Sequence, residues 1–192
     1  MDRVLRPGPA PRPLARAVIQ TGFLLVASPA LADPNFARTV SLICKHGDEG
    51  TYGVALNRPL HQTLHEIAPE LDPRLADVPV FLGGPVQREL LQFLHPARVG
   101  GETVLDGVAL GGGVDEIVGA GEPPGRVRGY LGYAGWDGGQ LADEIREGAW
   151  FVAPAEPRHV FEVAPEVLWR LVLRELGGRH AWQGLGDDPG LN

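Results

Sequence analysis

The apolar run Phe23-Leu24-Leu25-Val26, shut in between Gly22 and Pro29, constrains this chain most. With arginines upstream and Ala30-Leu31-Ala32 just before Asp33, it has the outline of a secretory signal and its cleavage site. Such a signal needs a core of roughly 7 to 15 apolar residues, whereas Gln20, Thr21 and Gly22 interrupt this one and Ser28-Pro29 close it. A run this short suits a strand buried on both faces. Asp33-Pro34-Asn35 then supplies turn chemistry after it. The expectation is therefore an uncleaved strand in a chain that stays in the cytoplasm.

The same punctuation recurs throughout: 27 glycines and 18 prolines in 192 residues predict many turns and short elements, not a helical bundle. The length suits one domain with a core of its own. Residues 1–21, rich in proline and arginine and without an apolar period, are expected to be disordered or loosely attached, and residues 22–192 to form a single domain. The net charge is -7; setting aside Arg3, Arg6, Arg12, Arg16 and Asp2 leaves thirteen basic against twenty-three acidic residues, or -10. A body so acidic repels a phosphate backbone, so direct DNA binding is disfavoured. The single cysteine, Cys44, excludes an internal disulfide and a thiolate metal cage. No apolar run approaches the roughly 18 residues of a spanning helix, so no membrane association is expected.

Along the chain, Arg38–Lys45 and Thr51–Leu56 read as a hairpin across a polar, glycine-containing loop. Leu60, Leu64 and Ile67 share helical spacing, with Thr63 as cap. "VPVFLGGPV" and "ELLQFLHP" predict strands around a Gly-Gly-Pro turn, "TVLDGVAL" two short strands, and Val114–Ala120 a brief helix weakly capped by three glycines. "GRVRGYLGYAGW" predicts a long strand and "GGQLADEIREGAW" a helix with Leu141 and Ile145 four apart. "WFVAPA" and "HVFEVA" predict strands, and Pro165–Leu176 a closing helix with Gly177-Gly178 at its end.

Four segments in this order, "GFLLVASPALADPNFARTVSLICKHGDEGTYGVALNRPL", "FLGGPVQRELLQFLH", "GYLGYAGWDGGQLADEIREGAW" and "PEVLWRLVLRELGG", resemble the bacterial AlgH/YqgE family. The resemblance covers residues 22–178. It implies an α+β fold: a bifurcated, mostly antiparallel and partly barrel-like β-sheet flanked by helices, in the cytoplasm. It implies no established biochemical activity. The naming member is linked to regulation of alginate production and carries the label of a transcriptional regulator.

The candidate chemistry is sparse. Ser28 and Ser41 are the only serines, and neither lies in a nucleophile elbow. His61 and His65 have the i, i+4 spacing of zinc ligands on a helix, but Gln62 stands where a metalloprotease would have Glu, so solvent-facing histidines are expected. Gly132, Gly135, Asp137 and Gly139 lie in a glycine-rich passage between strand and helix. Such a passage can bind an anion through backbone N–H groups, yet it matches no nucleotide motif; close strand-helix packing, with Gly135 and Gly139 required by backbone geometry, is expected over a ligand loop. Cys44 stands in the apolar row Val40, Leu42, Cys44, with His46 on the same face of the strand. A buried thiol is expected over a reactive one.

The leading functional reading is a non-catalytic regulatory or adaptor protein with no cofactor, taking an unknown protein partner or a small anion. The alternatives are a small-molecule-binding protein or enzyme using the Gly132–Gly139 loop with Asp137, His46 or His95, and a thiol redox sensor at Cys44.

Overall fold

A computed structural model describes residues 19–122 and 124–177. The expected tail therefore falls largely outside the described residues, as does Gly178. Ten strands form one sheet: β1 (Phe23–Ala27), β2 (Val40–Gly47), β3 (Gly50–Ala55), β4 (Pro59–Thr63), β5 (Pro79–Leu82), β6 (Val86–His95), β7 (Glu102–Leu105), β8 (Val108–Leu110), β9 (Arg128–Asp137) and β10 (Trp150–Pro154). The helices are α1 (Leu64–Ile67), α2 (Val114–Gly119), α3 (Gln140–Arg146), α4 (Pro157–Phe161) and α5 (Pro165–Leu176).

The strand order is β10-β1-β2-β3-β9-β6-β8-β7, with β4 and β5 on a branch. The long strand β9 makes the fork. Its first half pairs in parallel with β5, through Gly129, Tyr130 and Leu131; its second half pairs antiparallel with β3, from Ala134 to Asp137; β6 holds the other edge. Every other pairing is antiparallel. The sheet also curls: a Cβ added to Gly22 would stand 2.8 Å from Val104 O, so the far strand β7 returns to the start of β1. The bifurcated, partly barrel-like α+β architecture is as the resemblance implies.

The strand pattern explains the layers. Leu24, Val26, Val40, Leu42, Cys44, Val54, Leu56 and Tyr130 fill the inside of the curl, closed by Leu168, Trp169, Val172 and Leu173 of α5. Leu25, Ala27, Ile43, Ala134 and Trp136 face the other way, under Leu141 of α3. Alternation with both faces buried is what the apolar run at Phe23 requires. A third cluster, with Leu64, Val80, Phe93, Ile117 and Val127, packs beneath the β4–β5 branch.

Two local readings are corrected. "HVFEVA" is no strand: α4 spans Pro157–Phe161, because Pro157 suits a first helical turn and the Glu156 N–H donates to His159 Nδ1 at 3.0 Å. Val160 and Phe161 are buried there, and packing overrides their β preference. The helix expected through Leu60 shrinks to α1. Pro59–Thr63 pairs with β5, so His61 lies on a strand with φ 55° while His65 lies on α1. The two imidazoles are exposed but share no helical face. Among the described residues no cluster of three His, Cys, Asp or Glu has metal-binding geometry.

Candidate functional site

Cys44 sits where the β2–β3 register slips: Ile43 pairs with Gly53 and Lys45 with Tyr52, so Cys44 is the extra residue of a bulge. It is 2% exposed, its Sγ donates to Leu42 O at 3.5 Å, and burial pushes its pKa up to about 12, opposed only in part by a bond from Val54. The buried row Val40, Leu42, Cys44 is present. The shared face with His46 is not. The bulge turns the strand over after Cys44, so Lys45 joins Tyr52 and Tyr133 around one cavity, while His46 lines another with Leu141 and Ala142. His46 Nδ1 lies 2.7 Å from Thr51 Oγ1. His95 is buried elsewhere, its Nε2 2.7 Å from Gly111 O.

The glycines divide by role. Gly132 has φ 69°, and a Cβ there would stand 2.7 Å from both Gly84 O and Val86 O, so both conformation and space demand glycine. Its kink lets β6 leave the ladder: Val86 pairs with Tyr133 and pairing resumes at Leu91 with Leu131, leaving residues 87–90 opposite Gly132 alone. Gly139 begins α3 with φ 82° but faces open space. Gly135 has no left-handed backbone, and a Cβ would meet the Tyr133 ring at an ordinary 3.4 Å, so the expectation that geometry requires glycine there is corrected.

These features surround an open cleft of about 690 Å3 lined by Lys45, Asp48, Glu49, Tyr52, Val86, Tyr133, Gly135 and Asp137. The Tyr52 and Tyr133 rings stack at 4.6 Å. Tyr52 donates its hydroxyl hydrogen to Gln92 Oε1, and Gln92 Nε2 donates to Gly132 O at 3.0 Å, which fixes the tyrosine floor to the kink. Burial raises the Tyr52 pKa to about 12. Val86, 37% exposed, lines the cleft, and Leu90, 40% exposed, stands on the stretch 87–90 that follows it. Of the residues singled out from sequence, Gly135 and Asp137 line this cleft, and Asp137 and Gly139 join His46 in the adjoining hollow of about 370 Å3. Cys44 lines neither.

A second groove, of about 570 Å3, was not legible in the sequence. It lies between the turn before β2, the Asn57-Arg58 link after β3 and the first turns of α5, and is lined by Arg38, Asn57, Arg58, Trp169 and Arg170 among others. Asn57 accepts from the Val40 N–H and donates to Arg38 O, both at 2.9 Å. Arg58 donates to Thr39 Oγ1, Pro34 O and Ala37 O, each at 3.1 Å. The only advance signal was the pairing of Asn57 with Arg58 at a strand end, where side chains commonly cap turns.

A family model described as AlgH-like matches residues 24–181. A UPF0301 protein of Streptomyces avermitilis is 44% identical over 186 residues, covering 90% of this chain and 95% of its own. A UPF0301 protein of Chlorobium luteolum is 37% identical, covering 91% and 95%. Among solved structures, a Corynebacterium diphtheriae protein superposes with a TM-score of 0.72 at 27% identity, covering 89% of this chain and 94% of its own. The solution structure of AlgH from Pseudomonas aeruginosa gives 0.66 at 31% identity, covering 89% and 95%.

Proposed function

From the premise that the chain belongs to the AlgH-like family, we propose that it is a cytoplasmic, non-catalytic regulatory or adaptor protein that docks a protein partner at the Tyr52–Tyr133 cleft. The observation that carries this reading is Val86, exposed on the cleft beside the stacked tyrosines and followed by the stretch 87–90, which is freed from the ladder opposite Gly132 and leaves Leu90 exposed. Exposed apolar side chains next to aromatic rings, rimmed by Lys45, Asp48, Glu49 and Asp137, have the composition of a protein interface: apolar centre, polar rim. Unpaired strand backbone adds a template for pairing with a partner segment. Direct reading of DNA is not part of the proposal, since a chain of net charge -7 lacks the counterion-releasing surface that DNA affinity needs. Among the described residues no helix is long and apolar enough to cross a membrane.

A photo-crosslinking residue placed at Leu90 in the native host tests this. A discrete adduct is expected from Leu90, absent when the probe sits at exposed Glu147, and lost when Val86→Arg is added without a change in melting temperature. Identical adducts from both positions, or none, would refute the docking face.

A further inference from the structure

The charged residues that line the Tyr52–Tyr133 cleft are unbalanced: Asp48, Glu49 and Asp137 stand against Lys45 alone, in a chain whose net charge is already -7. We infer that the partner segment docked there is extended and basic, and that it lays an arginine side chain over the stacked rings of Tyr52 and Tyr133 with the guanidinium beside Asp48, Glu49 and Asp137. This rests on the docking reading above and adds the chemistry of the partner.

The strand register builds a slot for such a group. Lys45, Tyr52 and Gly135 stand side by side across β2, β3 and β9, and Gly47, Gly50 and Asp137 form the next row on the same face. Tyr133, two residues before Gly135 on that face of β9, pairs with Val86 of β6. Neither Gly47 nor Gly135 is demanded by the backbone: both lack a left-handed φ, a Cβ on Gly47 would meet nothing within 4 Å, and one on Gly135 would meet only the Tyr133 ring, at 3.4 Å. A larger side chain at 135 would therefore fit the strand, and what it would cover is the ring. The fold also sets the acidic lip. A Cβ on Gly138 would stand 2.4 Å from Asp48 O, so the tip between β2 and β3 rests on the turn after β9, while the Asp137 N–H donates to Gln140 Oε1 at 2.9 Å. Among the described residues no hydrogen bond or ion pair engages the side chains of Asp48, Glu49 or Asp137, so an incoming cation displaces no partner. A guanidinium plane stacks on aromatic faces, and its forked donors match carboxylate oxygens. Exposed Val86 leaves apolar surface for the residues flanking the arginine, and the unpaired backbone of 87–90 suits an extended chain.

The test titrates the full chain, 15N-labelled, at low salt with the peptide Ala-Val-Arg-Val-Ala blocked at both ends, and with versions carrying lysine or the neutral, near-isosteric citrulline in place of arginine. The arginine peptide should saturate with amide shifts confined to residues 45–52, 86–90 and 133–138, should bind roughly tenfold more tightly than the citrulline peptide, and should weaken as salt is added. Asp137→Asn should lower its affinity and Lys45→Gln should raise it, each by about two- to fivefold. Gly135→Thr, which fills the slot, should abolish saturable binding at unchanged melting temperature. Equal binding of the arginine and citrulline peptides, wild-type affinity in Gly135→Thr, or tighter binding of the lysine peptide would each overturn the arginine. Shifts of the same residues on dilution of the protein alone would assign the cleft to a second copy of the chain and overturn it too. The docking reading is judged separately: a Leu90 adduct in the host alongside equal peptide binding removes the arginine and leaves the docking face, whereas a missing adduct removes the face itself.

Discussion

Removal of the Glu144 carboxylate tests how α3 is fastened to the sheet. Glu144 Oε2 accepts from two indoles, Trp136 Nε1 at 3.0 Å and Trp150 Nε1 at 2.7 Å, while Oε1 accepts from Gln140 Nε2 at 2.8 Å. Both indoles are buried, set edge to face with centroids 5.8 Å apart, and Phe36 packs on each. In Glu144→Ala two donors lose a charged acceptor. Leaving a buried donor unsatisfied costs about 1 to 3 kcal/mol, and the half-exposed carboxylate lets water recover part of that, so about 2 to 4 kcal/mol in total is expected. For a chain of this size that corresponds to a fall of roughly 5 to 15 °C in Tm. Glu144→Gln keeps one carbonyl oxygen for both indoles but loses charge assistance and sets its NH2 against the exposed Gln140 Nε2 donor, about 1 to 2 kcal/mol in all. Urea melts read by tryptophan fluorescence give both values. The cost of Trp150→Phe should shrink in the Glu144→Ala background, since its donor has already lost its partner. If Glu144→Ala melts within about 0.5 kcal/mol of wild type, a surface-like effect, or if Glu144→Gln is equally damaging, the shared acceptor is not what holds the helix.

Other expectations follow from single groups. Cys44 should resist maleimide at neutral pH until the chain unfolds, because burial raises its pKa to about 12 and blocks access; labelling that outpaces unfolding would contradict this. Gly132→Ala should cost more than about 2 kcal/mol, Gly139→Ala about 1, and Gly135→Ala nearly nothing, in the order set by backbone conformation and space; equal melts for the three would refute that ranking. His159 accepts from the Glu156 N–H, and burial lowers its pKa below the usual 6.5 despite Glu175. Its contribution is therefore full above that value and lost as the pH falls below it toward the depressed folded-state pKa. In urea melts between pH 7 and 5, His159→Gln should flatten the decline; an unchanged slope would assign it to other groups.

Where local sequence and tertiary packing agree, the chain could be read directly. Phe23–Ala27 pairs with β2 and β10 as a strand buried on both faces requires, and Leu141 with Ile145 marked the apolar side of α3. The misreadings share a cause. The bulge at Cys44 adds one residue to β2 and reverses the alternation after it, and at the left-handed Gly132 four residues of β6 stand opposite one of β9; period-two reasoning carries no sign of either. His46 was thus placed on the wrong face by one residue. "HVFEVA" failed differently: its β-branched residues bind a helix to the core because Pro157 and the His159 cap open a turn there. The arginine groove joins residues 38, 58 and 170, which no spacing rule connects; only the return of α5 over the start of β1 and β2 brings them together.

The backbone at Arg38 ties the second groove to a measurable trade-off. Among the described residues, Arg38, His61 and Gln87 are the non-glycine positions with left-handed φ, at 55°, 55° and 45°. Gln87 belongs to the protruding stretch and Arg38 to the groove, so two of the three strained positions border the two open surfaces. Strain of this kind costs about 1 to 3 kcal/mol and persists where surrounding contacts over-determine it. At Arg38 the compensating contact is Asn57, whose two bonds hold the turn from both sides. Glycine at 38 would remove the left-handed penalty of about 1 to 2 kcal/mol but would lose the side chain's contacts, the Trp169 ring at 5.8 Å among them, and add unfolded-state entropy. Thermal melts of Arg38→Gly decide which prevails: a Tm at or above wild type means that the backbone penalty outweighs what the side chain contributes. Asn57→Ala should destabilise the fold, costing about 1 to 3 kcal/mol by orphaning the Val40 N–H and the Arg38 carbonyl. An Arg38→Gly variant that unfolds at much lower temperature would mean that the arginine side chain holds the turn and offsets the strain of its own backbone.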